Sequence, residues 1–291
     1  MDAETITRAL GGRWTGRSGT ACCPAHDDRS PSLSIANGHS GQLLLTCHAG
    51  CSFVSVLDAI KGMGFVGSSI GSSVASDEAN RHRDNERRDN QRRAEIASNL
   101  WRETKPIQDT LAETYLRKRG ITCELPASLR FHGDCWHPAA RRLPALVGNV
   151  AGSGSYAVHR TYLSQNGMGK SEYTPGKAML GATKGGAVRL THTPGRLVVA
   201  EGIETGLSLL SGLMDGPIEV WAALSASGIK SLHLPDHPGE LVIAPDGDAV
   251  GREAGQVLAH RAYALGWRIS LLPAPDGYDW NDVLTGKAKA Q

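Results

Sequence analysis

Two stretches decide the fold of this chain: Arg196-Leu-Val-Val-Ala-Glu201-Gly-Ile-Glu-Thr205 and Leu241-Val-Ile-Ala-Pro-Asp246-Gly-Asp248. Each opens on a short apolar run and ends abruptly on a carboxylate beside a glycine. Runs of this length, unbroken by polar residues, read as strands buried on both faces. Between them, Glu204 to Leu213 reads as a helix and Ile218-Glu-Val-Trp-Ala222 as another strand; Arg252 to Leu265 then reads as an amphipathic helix. Strands alternating with helices imply parallel pairing through βαβ crossovers. The chemistry of such sheets gathers at the carboxyl ends of the strands.

Glu201 and the pair Asp246 and Asp248 fall at those ends. A third acidic cluster, Asp279 with Asp282, follows the apolar run Ile269 to Leu272. Carboxylates brought together repel one another, so their grouping is costly unless a hard cation neutralises them. Mg²⁺ or Mn²⁺ suits a site of a few carboxylates, water and substrate phosphate oxygens, and two such ions can clamp both oxygens of a phosphoryl transfer. Taken singly, each cluster also has a local reading, with Asp246-Gly-Asp248 as a turn and Glu201 as a residue favoured at a helix amino terminus.

Upstream, short extended runs alternate with glycine turns between Pro106 and His192, namely Ala145 to Val147, Tyr156 to His159 and Ala187 to Leu190. They predict a small mixed α/β region of mostly β character. Before it, Gly62 to Ser76 is rich in Gly and Ser and reads as flexible linker. The stretch Asp77 to Arg93 is dense in charge, and a helix is expected from about Arg87 to Lys105. Its arginines, Arg87, Arg88, Arg92 and Arg93, suit either a solvated face or phosphate contacts.

The first 60 residues are too few to hold a large core but carry four clustered donors. Cys23-Pro-Ala-His26 supplies one short-spaced pair and Cys47-His-Ala-Gly-Cys51 a second, ahead of a short helix from Phe53 to Ile60. Thiolate and imidazole so spaced predict a tetrahedral Zn²⁺ site of Cys23, His26, Cys47 and Cys51 that replaces a missing hydrophobic core. Cys22 and His48 adjoin two of these ligands and remain alternatives. With no open position the zinc is expected to be structural.

Composition excludes less. Thirty-one basic against 29 acidic residues leave a formal charge of +2, so nucleic-acid contact must come from local patches. No apolar run spans a bilayer, and the acidic Met1-Asp2-Ala3-Glu4 is unlike a signal peptide. A cytoplasmic protein without membrane contact is expected, in which six cysteines are better explained by metal than by disulfides.

These motifs resemble a DnaG-type DNA primase of phage or plasmid kind. Cys23 to Leu33 with Cys47 to Cys51 looks like the CHC2-like zinc-binding domain. Glu201-Gly-Ile-Glu-Thr205 and Asp246-Gly-Asp248-Ala-Val-Gly251 look like the two signatures of a Toprim domain. Tyr115-Leu-Arg-Lys-Arg119-Gly-Ile121, Leu129-Arg-Phe131 and His159-Arg-Thr-Tyr-Leu163 look like the region between them. The resemblance implies Glu201 as general acid/base or metal ligand, and Asp246, Asp248 and Asp279 as ligands of catalytic Mg²⁺ or Mn²⁺. It further implies contacts from Arg142, Arg160 and Lys177 to nucleotide and template, and stacking of single-stranded DNA on Trp14 or Phe53.

The domains expected are a zinc-ribbon-like module over 1–61, a charged linker over 62–86, a primase-core subdomain over 87–193 and a Toprim Rossmann-like parallel sheet over 194–291. The expected activity is RNA primer synthesis on single-stranded DNA from ribonucleoside triphosphates. The chain ends soon after Leu284, so a helicase partner is expected only in trans. The rival readings are a Toprim-type metal-dependent nuclease and a catalytically degenerate single-stranded-DNA-binding replication module.

Overall fold

A computed structural model describes residues 2–28, 30–38, 43–64 and 72–288, with the backbone alone for 72–83. The chain forms two compact units, Met1–Arg83 and Asp84–Gln291.

In the first unit helix α1 (Ala3–Ala9) precedes strands β1 (Arg13–Trp14), β2 (Ser18–Ala21), β3 (Leu33–Asn37) and β4 (Leu43–Cys47), and helix α2 (Phe53–Gly62) follows. The strands form one antiparallel sheet in chain order. Asp2 caps α1 by accepting from the Thr5 N–H at 2.8 Å, and Ser52 caps α2 by accepting from the Ser55 N–H at 3.2 Å. Gly19 lets α1 lie directly on β2, since a Cβ there would sit 2.0 Å from Thr7 Oγ1. The core is small, built on Ile6, Leu33, Ile35, Leu45, Val56 and Ile60, and it includes Cys23 and Cys47.

Helix α3 (Ser72–Glu103) carries the boundary between the units. It starts well before the expected Arg87, so the last residues assigned to linker, Ser72 to Ser76, are helical; residues 65–71 of that segment lie outside the described residues. The charge run continues an unbroken helical register into Ala97 and Leu100, which are buried against Cys135, Leu143 and Val147.

In the second unit β5 (Lys105–Pro106), α4 (Leu111–Lys118), β6 (Leu129–His137), β7 (Arg141–Ala151), β8 (Ala157–Tyr162), β9 (Lys177–Leu180) and β10 (Ala187–Arg189) come first. Then follow β11 (Arg196–Ala200), α5 (Ile203–Ser208), β12 (Ile218–Ala222), α6 (Ala226–Ser231), β13 (Glu240–Ala244), α7 (Ala249–Ala264), β14 (Arg268–Leu271) and α8 (Trp280–Leu284). The expected helix to Leu213 is α5 followed by a π-turn over Leu209–Leu213, which Gly212 breaks with φ 108°.

One ten-stranded sheet runs through the whole unit in the order β14-β13-β11-β12-β10-β7-β6-β5, with β8 pairing β7 and β9 pairing β8. β14, β13, β11 and β12 are parallel, and β10 joins β12 to the antiparallel half. Apolar side chains alternate between two covered faces. Val198 and Ala200 pack with α5, Val220 and Ala222, whereas Leu197 and Val199 pack with Ile229 of α6 and Leu258 and Ala262 of α7. The chain leaves β11 towards β12 on one side and returns to β13 on the other. The order therefore reverses at β11, and a crevice opens at the carboxyl ends of β11 and β13.

Candidate metal centre and phosphate-binding cavity

In the first unit the β2–β3 connection and the β4–α2 turn bring four donors together. The ligand atoms of Cys23, His26, Cys47 and Cys51 all lie within 4.8 Å of one another. His26 Nδ1 is 3.2 Å from Cys51 Sγ and 3.9 Å from Cys47 Sγ. Cys22 stands outside this cluster, and His48 Nε2 instead meets Ser34 Oγ at 2.9 Å. Three thiols and one imidazole fit a closed tetrahedral zinc site.

Asp28, which sequence reasoning passed over, supports the cluster. Its carboxylate accepts from the Cys23 N–H at 2.7 Å and from Ser32 Oγ at 2.5 Å, and lies 3.8 Å from His26 Nε2. A carboxylate on the far nitrogen fixes the ring so that Nδ1 faces the metal. The Ser32 hydroxyl and the Cys23 N–H hold the Asp28 carboxyl down at about 2, so it stays an anion. At Cys47 burial, which alone would raise the thiol, is outweighed by the backbone N–H groups of Cys51 and Ala49, which bring it to about 6.

In the second unit a cavity of about 100 Å³ opens at the reversal point of the sheet, lined by Glu201, Asp246 and Asp279 together with Arg119, Lys170, Lys177, Gly202, Glu204, Thr205 and Leu224. Three parallel strands deliver residues to it: Glu201 follows β11, Leu224 follows β12 and Asp246 follows β13. Ala200 and Ala244 are paired in register, so the first two carboxylates leave the sheet side by side. Leu224 takes the left-handed φ of 74°, an uncommon conformation for a side-chain-bearing residue and one that clusters at functional sites.

Asp279 reaches the cavity by another route. It caps α8, accepting from the Asp282 N–H at 2.8 Å while Asp282 closes the reciprocal capping box. The Gly247 N–H donates to the Tyr278 carbonyl at 2.9 Å, which ties the Asp246 turn to the segment carrying Asp279. A Cβ on Gly247 would lie 1.9 Å from the Pro275 carbonyl oxygen. Asp248 does not line the cavity; it caps α7 by accepting from the Gly251 N–H at 2.6 Å.

The cavity carboxylates perturb one another. Burial pushes the Asp246 carboxyl up to about 7, and Glu201 and Asp279 add to it. Burial and then Asp248 raise Glu201. Glu201 Oε2 is buried with no hydrogen-bond partner. An orphaned buried oxygen beside mutually repelling carboxyls fits a hard divalent cation. Among the described residues, the Cys and His cluster is the only group whose three or more ligand atoms all lie at metal-binding spacing, and the three carboxylates are not drawn together that closely.

Cations line the same cavity. Lys177 Nζ is 3.1 Å from Glu204 Oε2 and Lys170 Nζ is 3.6 Å from Glu204 Oε1. Burial alone would raise the Glu204 carboxyl, but the two ammonium groups hold it well below the usual range. Arg119, from the end of α4, stacks over Tyr115 at 5.8 Å, and its buried Nε has no partner. His159, on β8, is fully enclosed; burial pulls its imidazole down to about 3, so it is neutral.

The three basic residues singled out from the sequence separate. Lys177 lines the carboxylate cavity. Arg142 lies on an exposed stretch of β7, 3.5 Å from Asp134, and lines a larger cavity of about 610 Å³ that shares Lys170 with the first. Arg160 is buried and donates to the Trp136 and Met179 carbonyls at 3.1 and 3.3 Å, so its guanidinium ties strands together. Lys170, Arg119 and Glu204 were not singled out. Arg119 and Glu204 lay within motifs already noted, but Lys170, in a glycine-rich loop, carries no pattern of its own. Phe53 is exposed and Trp14 packs on the core of the first unit.

Residues 91–190 match a domain of unknown function (DUF7146), and residues 196–290 match the Toprim domain. Among solved structures the chain is similar to the Aquifex aeolicus primase (zinc binding and RNA polymerase domains), with 15% identity over 98% of this chain and 80% of that chain and a TM-score of 0.40. It is also similar to a DNA primase domain from Pseudomonas aeruginosa, with 18% identity over 62% of this chain and 68% of that chain and a TM-score of 0.35. No curated protein matches the chain. No helix among the described residues is long and apolar enough to cross a membrane. The four parallel strands, with carboxylates where their order reverses, all lie within residues 196–290, the stretch that matches the Toprim domain.

Proposed function

We infer that this protein is a DNA primase that joins ribonucleoside triphosphates on a single-stranded DNA template, with a divalent cation at its Toprim carboxylates. The observation that carries this reading is the single cavity lined both by Glu201, Asp246 and Asp279 and by Arg119, Lys170 and Lys177. Anionic and cationic groups about one small cavity suit a metal-bound polyphosphate, whose charge neither set alone would accommodate.

A divalent ion held by Glu201, Asp246 and Asp279 would supply Lewis-acid stabilisation of charge developing at the phosphorus. Lys170 and Lys177 would hold phosphate oxygens and orient the pyrophosphate leaving group. Glu201, whose carboxyl is raised by burial and by Asp248, would either complete the metal's ligand shell or, left outside it, accept the proton of the attacking 3′-hydroxyl. Thr205 Oγ1 donates to Asp246 Oδ1 at 3.3 Å and orients that carboxylate. Asp248 contributes through its charge and through the cap that starts α7.

Arg142, on the wall of the larger cavity that shares Lys170, would contact phosphates of a template strand extending from the site. Arg160, bound to two carbonyls, keeps β8 in place beneath it. The first unit, held by Zn²⁺ on Cys23, His26, Cys47 and Cys51, would grip template through backbone contacts and stacking on exposed Phe53.

The test is primer synthesis from labelled ribonucleotides on random single-stranded DNA with Mg²⁺ or Mn²⁺. Short RNA products from the wild type and none from Asp246→Ala are expected. Metal-dependent shortening of the DNA without any RNA product would instead establish the nuclease. Binding of DNA that Asp246→Ala leaves intact, with neither reaction, would establish the non-catalytic module.

A further inference from the structure

Glu204 has no counterpart in the chemistry above, yet it is among the most enclosed charged side chains of the second unit, with 4% of its surface exposed. Its position is set by the helix that follows Glu201: Gly202 is the amino-terminal cap of α5, and Glu204 lies in the first turn. From there its carboxylate points towards the antiparallel half of the sheet. Tyr115 OH, on α4, donates to Glu204 Oε1 at 2.8 Å. Lys170 Nζ, from the β8–β9 connection, lies 3.6 Å from Oε1, and Lys177 Nζ, at the start of β9, donates to Oε2 at 3.1 Å. Two segments distant in sequence, α4 and the stretch from the β8–β9 connection into β9, therefore converge on one carboxylate carried by the Glu201 turn.

The consequence falls on the lysines. Each ammonium is only partly covered, with side-chain exposures of 38% for Lys170 and 37% for Lys177. A free lysine side chain so exposed samples many rotamers, and fixing it costs entropy on binding. Anchored by Glu204, Lys177 Nζ comes within 3.9 Å of where a Cβ on Gly202 would stand, at the residue next to Glu201. Two cations share one anion, so the cluster keeps a net positive charge towards the cavity.

We propose that Glu204 is a positioning residue that pre-orients Lys170 and Lys177 in the cavity they share with Glu201, Asp246 and Asp279, so that both ammonium groups meet the phosphates of an incoming nucleoside triphosphate. The inference rests on the phosphoryl-transfer reading of the same cavity, and it makes a counter-intuitive prediction. If Glu204 merely neutralised the lysines, removing its charge would strengthen the pull on a polyanion. As a positioning residue, its loss weakens that pull.

The experiment compares wild type, Glu204→Gln, Tyr115→Phe, Lys177→Met and the double variant Glu204→Gln/Lys177→Met in the full-length zinc-loaded protein. It measures equilibrium binding of ATP in the presence of Mn²⁺, and the KM and kcat of primer synthesis. Glu204→Gln is expected to weaken ATP binding and raise KM by about tenfold, the weight of a charge-assisted hydrogen bond to phosphate, with the smaller change in kcat. Tyr115→Phe leaves the charges intact, loosens only the anchor, and moves both values in the same direction by less. The double variant is expected to bind more weakly than Lys177→Met, through the release of Lys170, but by less than the sum of the two single losses, because part of the effect of Glu204 passes through Lys177.

Unchanged or tighter ATP binding by folded Glu204→Gln, or by Tyr115→Phe should Glu204→Gln not fold, overturns the proposal. Strictly additive losses in the double variant also overturn it. Primer synthesis by the wild type with either of those results would retain the primase reading and discard the role of Glu204. Absence of synthesis with ATP binding that falls in Glu204→Gln would discard the primase reading and retain the role of Glu204. A wild type that binds no ATP with Mn²⁺ contradicts both.

Discussion

Asp246→Asn is expected to stabilise the metal-free protein at neutral pH while abolishing its cation site. Burial, with Glu201 and Asp279 beside it, raises the Asp246 carboxyl from 3.8 to about 7, a change of about three units, or roughly 4 kcal/mol at 1.36 kcal/mol per unit. The side chain is partly exposed, so solvent reduces this to about 2 kcal/mol. The sign follows from linkage: a carboxyl whose folded value exceeds its unfolded value binds a proton more tightly when folded. Stability is therefore greatest below pH 4 and is lost as pH rises from about 4 to about 7. Asparagine carries no such cost, so the two proteins should match at pH 4 and diverge by about 2 kcal/mol by pH 8.

The assay is urea unfolding across that range in magnesium-free buffer with zinc retained, followed by the near-ultraviolet signal of the second unit, where Trp221 and Trp267 are buried. Adding Mg²⁺ at pH 8 should stabilise the wild type and leave the Asn variant unmoved, because only the wild type has a folded-state ligand to bind. Stability curves for the two proteins that stay parallel from pH 4 to pH 8 would refute the buried, mutually repelling carboxylates from which the site is argued.

Four other substitutions probe separate parts of the structure. Gly247→Ala puts a methyl group against the Pro275 carbonyl and should destabilise the second unit by about 2 kcal/mol, with Mn²⁺ affinity falling alongside; unchanged thermal unfolding and Mn²⁺ titration would contradict this. Asp28→Ala removes the carboxylate beside His26 and Cys23 and should weaken zinc binding by about tenfold to a hundredfold, measured by competition with a chromophoric chelator; an unchanged affinity would show that His26 needs no such support. Arg160→Ala strips two carbonyls of their donor and should lower stability by about 2 kcal/mol while leaving single-stranded DNA affinity of the folded protein near the wild-type value; Arg142→Ala should do the reverse, with unchanged melting and a weaker, less salt-dependent DNA complex.

The parallel half of the second unit was legible because its information is local. Leu197 to Ala200 and Leu241 to Ala244 are apolar on both faces, and each gives way at once to the carboxylate that marks the strand end. The junction between β12 and β10 was not legible. It rests on two paired positions, Val188 with Ala222 and Arg189 with Trp221, and nothing in a three-residue strand announces a partner more than 30 residues away. The result is one sheet across what the sequence divided at residue 193. Helix α3 was expected to start at Arg87 because Gly, Ser and charge read as linker, whereas the helix begins at Ser72.

The site divides in the same way. Zinc donors are named by spacing, and the structure selects Cys23 over Cys22 and Cys47 over His48 through side-chain direction, which spacing does not encode. Asp248 was grouped with the cavity residues because it is two residues from Asp246, yet one of those steps turns the chain and leaves it capping α7. Arg160 was expected to contact nucleotide or template. Its strand is buried on both faces from Ala157 to Tyr162, and the alternation that would have warned of this is masked by His159 and Thr161, polar residues that are themselves enclosed. Asp279 needed the tertiary link between Gly247 and Tyr278 to come beside Asp246.

The most direct measurement is the anomalous difference map of a crystal grown with Mn²⁺, recorded for the wild type and for Asp246→Asn. The account predicts a manganese peak coordinated by carboxylate oxygens of Glu201, Asp246 and Asp279 in the wild type and no peak there in the variant. A crystal in which manganese binds elsewhere, with the cavity between those three side chains holding only water, would contradict it.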